Sequence, residues 1–409
     1  MSRRFVITRF EYNGKTPLLC AVFEEHKMLE VQCIPEDAPA QILNNIYVAR
    51  VSQVVKNIGA AFVEIEKGRK CFLPLTDLKN PVFVKRITDK QLLSQGDELL
   101  VQVVREAVKT KEPQVTTNLS LAGLYSVVTS GEKRLGISGK IGTKKRQALR
   151  ECVQAVYDQQ FGVIVRTNAA ELSEAHADVL LEEIQELQEQ LKSLITYAPY
   201  RSIYSILYAA PPEYIRILQN QRFDELSEVV TDDPDIFQKL KIFSDEHPSM
   251  ELSTKLRLYD DAQLDLHKLY SIQVQVDRAL QKKVWLKSGA NLLIEPTEAM
   301  TVIDVNSSKN IKKKLPEEQH LQVNLEAAAE IAYQLRLRNI SGIIIIDFID
   351  MASAENKETL LETMRALVKS DPVKTEVIDL TRLGLMELTR KKTRRPLHEQ
   401  LILFCTDET

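Results

Sequence analysis

A chain of 409 residues with 44% hydrophobic and 27% charged side chains has the composition of a globular protein, is long for one core, and contains no apolar run of about 18 residues that could span a bilayer. A net charge of -3 and a pI near 6.2 exclude a uniformly basic nucleic-acid coat, though not local basic clusters. The five cysteines (Cys20, Cys33, Cys71, Cys152, Cys405) are scattered and form no C-x-x-C pair, so no disulfide framework is implied; with no apolar signal core after Met1-Ser2-Arg3-Arg4, the expected location is the cytoplasm.

The first predicted elements are short β-like runs at 5–10, 17–23 and 27–33, around the turn Tyr12-Asn13-Gly14-Lys15. From Asn44 the pattern becomes strands at 46–54, 60–65, 71–75, 98–104 and 115–121, enough for a small barrel of the OB type. Alternation puts Ala61, Val63 and Ile65 on one face and Phe62 on the other; Cys71, Leu73 and Leu75 are likewise opposed to Phe72. Two phenylalanines on the polar side of a barrel either stack on bases or pack under a neighbouring subdomain.

Further along, Arg166 and Thr167 end an apolar run that starts at Phe161, and a guanidinium beside a hydroxyl suits a phosphate pocket. A helix is predicted over 171–195, with Val179, Leu180, Ile184, Leu187, Leu191 and Leu194 as its apolar stripe. Pro199, Pro211 and Pro212 break that pattern. Asp232, Asp233 and Asp235 surround a proline turn and read as solvated.

The most informative stretch is 291–351. Met300-Thr301-Val302-Ile303-Asp304-Val305-Asn306 reads as a strand that places Asp304 and Asn306 on one face. Ile343 to Ile346 read as a strand buried on both faces and ending in Asp347. Between them 324–338 reads as a helix, with Leu325, Ala328, Ala332 and Leu335 apolar, then a break at Asn339 and Gly342. Strand, crossover helix and parallel strand bring both carboxyl ends to one sheet edge, so Asp304 and Asp347 can meet. The pair reads as a magnesium site with open water positions, or as two caps of the loops at the strand ends. Basic runs follow at 309–314 and 390–395, each a nucleic-acid contact or a solvated segment.

The segments 301–307, 324–338 and 342–351, with Arg382-Leu383-Gly384-Leu385-Met386-Glu387, resemble in type and order the catalytic signature of the ribonuclease E/G family. The resemblance extends to Asn45-Ile46-Tyr47, Ala60-Ala61-Phe62-Val63 and Phe72-Leu73-Pro74-Leu75 in the S1-type segment, and to 120–127 with 161–167. It implies an α/β multi-subdomain protein. An RNase H-like subdomain (1–43 and 214–283) would be interrupted by an S1-type OB barrel (44–118) and a 5′-sensor region (119–213), and a DNase I-like catalytic subdomain (284–409) would follow.

Carried over residue by residue, the resemblance implies that Asp304 and Asp347 hold Mg2+ and that Asn306 hydrogen-bonds the scissile phosphate. Phe62, Phe72 and Lys111 would contact single-stranded RNA; around Lys111 the loop lacks the glycines usual in the family. Arg166 and Thr167 would bind a 5′-monophosphate in a pocket shaped by Gly123 and Val127. The implied activity is a magnesium-dependent endoribonuclease for RNA processing or decay that prefers 5′-monophosphorylated substrates and leaves 5′-phosphate products. The alternatives from other classes are an RNA-binding protein that has lost cleavage, and a metal nuclease acting on DNA. The zinc-link C-x-x-C of longer members is missing. A single Cys405 per chain cannot complete the usual thiolate site, and His398, which could supply a second ligand, stands seven positions away in no matching motif, so a monomer or a dimer without a zinc bridge is expected.

Overall fold

A computed structural model of the chain describes residues 2–34, 42–89, 92–106, 112–172, 177–248, 251–307 and 317–402, and among these β-branched and aromatic runs separated by turn residues build four sheets. Two units result: Met1–Asp37 with Glu225–Glu246 and Leu252–Thr409, and Ala38–Asp224 with His247–Glu251. No helix among the described residues is long and apolar enough to cross a membrane.

The first unit holds two sheets. In the five-stranded one the order is Leu256–Leu258, Leu226–Thr231, Arg3–Arg9, Leu18–Glu24, Lys27–Ile34; the first three strands run parallel and the last two continue antiparallel. Asn13 and Gly14 make the predicted turn, both at positive φ. Asp232 and Asp233 stand just beyond the Leu226–Thr231 strand. Asp232 Oδ2 accepts from Thr8 Oγ1 at 2.6 Å, and Asp233 Oδ1 accepts the amides of Asp235 and Ile236 at the start of the Pro234–Glu246 helix.

The second sheet of this unit carries the acidic strands. Its order is Lys283–Trp285, Asn291–Pro296, Met300–Asn306, Gly342–Asp347, Leu385–Arg390, Thr375–Leu380, and every neighbouring pair is antiparallel except the central one. Met300–Asn306 and Gly342–Asp347 are parallel because the helix Glu317–Leu337 carries the chain back between them. Asn339 and Gly342 turn it into the second strand at positive φ. Ile303, Val305, Ile344, Ile346, Met386 and Leu388 pack on Ala327, Ala328, Ile331 and Leu335 of that helix and on Leu360 and Met364 of Ala354–Val368. Each such side chain contributes about 1.5–3 kcal/mol by leaving water.

One expectation is corrected here. The isoleucine run is buried on one face only: Ile344 and Ile346 are in the core, whereas Ile343 is 47% exposed and Ile345 half-buried. Both long helices pack on the same side, which leaves the face bearing Asp304 and Asp347 accessible. The basic run at 390–395 is also not uniform, since Arg390 is buried in a bidentate pair with Asp371 (2.7 and 3.2 Å) while Lys391 and Lys392 are exposed.

The second unit contains a closed five-stranded barrel. Ile46–Val55, Ala60–Glu66, Arg69–Pro74, Gln114–Thr116 and Glu98–Arg105 pair in that order, and the last pairs back on the first. Ala49, Val51, Val63, Leu73, Leu99, Val101 and Val115 fill it. The predicted strand 115–121 is two strands: Gln114–Thr116 stays in the barrel, and Ser120–Ala122 opens a separate sheet with Ser126–Thr129, Gly162–Val165 and Leu135–Ile137. Beside that sheet lies the helix Ala177–Tyr197, which buries Leu180, Ile184 and Leu191 as expected. Residues 171 and 172 are not helical, so it begins later than position 171, and Thr167–Ala170 is a separate 3-10 turn.

Candidate functional site

The parallel register sets Asp304 directly opposite Asp347. Two residues on, Asn306 projects to the same face, and its Nδ2 donates to Asp304 Oδ2 at 2.6 Å. The Asp347 carboxyl is pushed above its ordinary range by partial burial, by the charge of Asp304 and by that of Asp350. Two neighbouring carboxylates on an open face therefore repel one another, and a cation between them would relieve the repulsion.

Sequence reasoning missed the residues that hold this site in place. Asn324, wholly buried on the crossover helix, grips the loop after the second acidic strand: its Nδ2 donates to Ile349 O at 2.8 Å and its Oδ1 accepts from Ile349 N at 3.0 Å. The signal was an asparagine inside an apolar helix face, a residue type that is buried only when paired. Glu317, His320, Asp350, Met351 and Ala352 line a cavity at this end of the sheet, where His320 Nδ1 lies 3.0 Å from the Asp350 carbonyl oxygen.

In the barrel, Phe62 and Phe72 face each other across paired strands with ring centroids 6.0 Å apart at 70°. Both are half-buried, while Ala61, Val63, Cys71 and Leu73 on the opposite face are in the core. An edge-to-face pair that keeps part of each ring in contact with water suits a stacking platform. Lys111 lies outside the described residues, as do the basic run 309–314 and Cys405.

Gly123, Val127, Arg166 and Thr167 come together at one end of the four-stranded sheet. Arg166 N donates to Tyr125 O at 2.7 Å, and its guanidinium donates to Gly123 O at 2.5 Å and to Asn220 Oδ1. Thr167 Oγ1 is 2.8 Å from Ser138 Oγ, and Val127 pairs with Ile164 in the sheet. Burial lowers the Arg166 pKa, opposed by the charge of Glu183. Glu183 is a second residue that sequence reading missed. From the Ala177–Tyr197 helix its carboxylate accepts from the amides of Leu124 (2.6 Å) and Tyr125 (3.0 Å) and from Ser126 Oγ (2.7 Å). Its own pKa is raised by burial, against these hydrogen bonds. A Cβ at position 123 would overlap this carboxylate where it stands, so a larger residue there would push Glu183 out of these hydrogen bonds.

The donor set discriminates among metals. Two aspartates joined by no third Asp, Glu, His or Cys in a ligating group, among the described residues, suit a hard ion that retains water and reaches substrate oxygens, and do not suit a closed tetrahedral zinc site.

Comparison with known proteins fits this arrangement. The model of the ribonuclease E/G family matches residues 120–393, and that of the S1 RNA binding domain matches 41–118. Ribonuclease G of Haemophilus influenzae is 33% identical over 393 residues, covering 93% of this chain and 79% of that protein. Ribonuclease G of Escherichia coli K12 is 33% identical over 384 residues, covering 91% of this chain and 77% of the relative. Ribonuclease E of Synechocystis is 32% identical over 400 residues, which is 94% of this chain and 58% of the longer protein.

Proposed function

Because the chain belongs to the ribonuclease E/G family and is an endoribonuclease of RNA processing, we propose that it cleaves single-stranded RNA at Asp304, Asn306 and Asp347 with magnesium, preferring a 5′-monophosphorylated end. The observation that carries this reading is the in-register aspartate pair with Asn306 bonded to it. Asp304 and Asp347 would hold the ion. Bound there, magnesium supplies charge neutralisation at a phosphodiester and activation of water.

The chain's own groups do the positioning. Asn306 gives one amide hydrogen to Asp304 and keeps the other for a phosphate oxygen. Hydrolysis joins a water oxygen to phosphorus and breaks the bond to the 3′-oxygen, leaving a 3′-hydroxyl upstream and a 5′-phosphate downstream. In the barrel, Phe62 and Phe72 offer ring faces to bases, and Lys111 is assigned to the same strand of RNA. Arg166 and Thr167 would receive the 5′-monophosphate beside Gly123 and Val127, since a charged fork and a hydroxyl match its oxygens. We read the five-stranded sheet as RNase H-like and the six-stranded one as a DNase I-like catalytic subdomain, in an enzyme that acts in the cytoplasm as a monomer or a dimer without a zinc bridge.

The test is cleavage of a fluorescent single-stranded RNA, carrying either a 5′-monophosphate or a 5′-hydroxyl, with magnesium and then with excess EDTA. The proposal expects cleavage only with magnesium and faster turnover of the monophosphate. Undiminished cleavage in EDTA would refute the metal assignment, and equal rates would refute the end preference.

A further inference from the structure

The face of the six-stranded sheet that carries the aspartates carries one more chemically distinctive group. Residues opposite one another in a ladder project to the same face. The register therefore makes one row of Lys283, Leu293, Asp304 and Asp347, and the next row on that face of Trp285, Asn291 and Asn306. Trp285 is 65% exposed, and the Lys283 ammonium lies 4.1 Å from its ring centroid. Two strand spacings separate Trp285 from Asn306, about 10 Å. A solvent-facing indole presents a broad apolar face and a polar edge, a surface suited to a flat ligand.

We propose that Trp285 and Lys283 form a substrate subsite, in which a base close to the cleaved phosphodiester stacks on the indole and the Lys283 ammonium meets a flanking phosphate. The inference rests on the reading of the chain as a nuclease for single-stranded RNA. Position and charge favour this occupant over another protein surface. Of the other large apolar groups exposed on this sheet, Met300 and Ile343 lie toward its opposite end, and Ile378 lies on Thr375–Leu380, the edge strand farthest from Lys283–Trp285. Met300 pairs with Ile343 four residues before Asp304 meets Asp347, roughly 13 Å along the strands. Trp285 instead shares the carboxylate end, and Lys283 and Lys287 beside it supply positive charge suited to a polyanion.

Trp285 is the chain's one tryptophan, so intrinsic indole emission reports on this position alone. The full chain in EDTA would be titrated with a 5′-monophosphorylated single-stranded RNA, following emission in one channel and anisotropy of an RNA label in the other. Quenching that saturates together with the anisotropy is expected. Trp285→Ala should weaken binding and raise KM by about 5- to 150-fold, the fold-change equivalent to ~1–3 kcal/mol of base stacking, while Trp285→Phe keeps most of the affinity. Lys283→Ala should make binding less salt-dependent, and none of these variants should shift the melting temperature. Saturating anisotropy with unchanged emission would overturn the subsite while leaving the RNA nuclease intact. An emission change that follows protein concentration without RNA, together with a mass increase in light scattering, would assign the indole to a contact between copies instead. No anisotropy change in the wild type would refute the functional reading and this inference with it.

Discussion

Replacing Asn324 with leucine tests whether the buried clamp on the crossover helix positions the aspartate-bearing end of the sheet. The side chains are close in size, so the change removes two hydrogen bonds without opening a large cavity. It leaves the Ile349 N–H and C=O without their partner, and an unsatisfied buried backbone group costs about 1–3 kcal/mol. Ile349 is itself half-buried, so water recovers part of that cost, and the expected loss is about 2–4 kcal/mol. Ile349 lies two residues after Asp347 and one before Asp350, so a loosened loop also displaces the carboxylate. A shift of that kind lowers kcat by roughly 10- to 100-fold. Denaturant unfolding, single-turnover cleavage and RNA anisotropy on one preparation would measure all three quantities, and affinity should stay within about threefold. A destabilised variant with normal kcat would show that the clamp serves folding alone. Unchanged stability would contradict the hydrogen-bond argument itself.

Other consequences follow from the barrel and from the Arg166 pocket proposed for the 5′ end. Phe62→Ala and Phe72→Ala should each weaken RNA binding by about 1–3 kcal/mol with little change in melting temperature; a large loss of melting temperature at unchanged affinity would make both rings core residues. Arg166→Ala should slow cleavage of 5′-monophosphate RNA far more than of 5′-hydroxyl RNA, and equal slowing would move Arg166 from sensing to structure. The raised pKa of Glu183 means that the folded chain holds its proton to higher pH than the unfolded chain does. Its contribution to stability therefore falls as pH rises from the ordinary glutamate range through the folded value. Glu183→Gln should remove this part of the pH slope in unfolding experiments, and an identical slope in both proteins would refute the assignment.

The acidic strands were legible because local pattern and topology agree. Alternation fixes the shared face of Asp304 and Asn306, the helix-forming segment forces a parallel return, and Asn339 and Gly342 mark the turn. Burial of the isoleucine run was misread, since hydrophobicity says that a strand can be covered on both faces and not that it is. Val115 to Leu121 looked continuous for a similar reason. Strand propensity does not reveal that Val115 pairs with Val103 while Leu121 pairs with Val128, and those partners decide the sheet. The Thr167–Ala170 turn ahead of the Ala177–Tyr197 helix holds Asn168, whose amide is taken up by the carbonyls of Gln219 and Gln221, partners distant in sequence. Glu183 and Asn324 stayed hidden because each serves a loop distant in sequence. On a helix each reads as an ordinary polar residue until its acceptors and donors are placed.

The in-register carboxylates are expected to perform cleavage and not merely to bind RNA. Asp304→Asn and Asp347→Asn keep side-chain size while removing the charge that would hold the metal. Measured side by side in magnesium, each folded variant should lose cleavage of single-stranded RNA while its affinity for that RNA stays within a few-fold of wild type. Near-normal turnover in either variant, with unfolding curves like those of the wild type, would contradict the account.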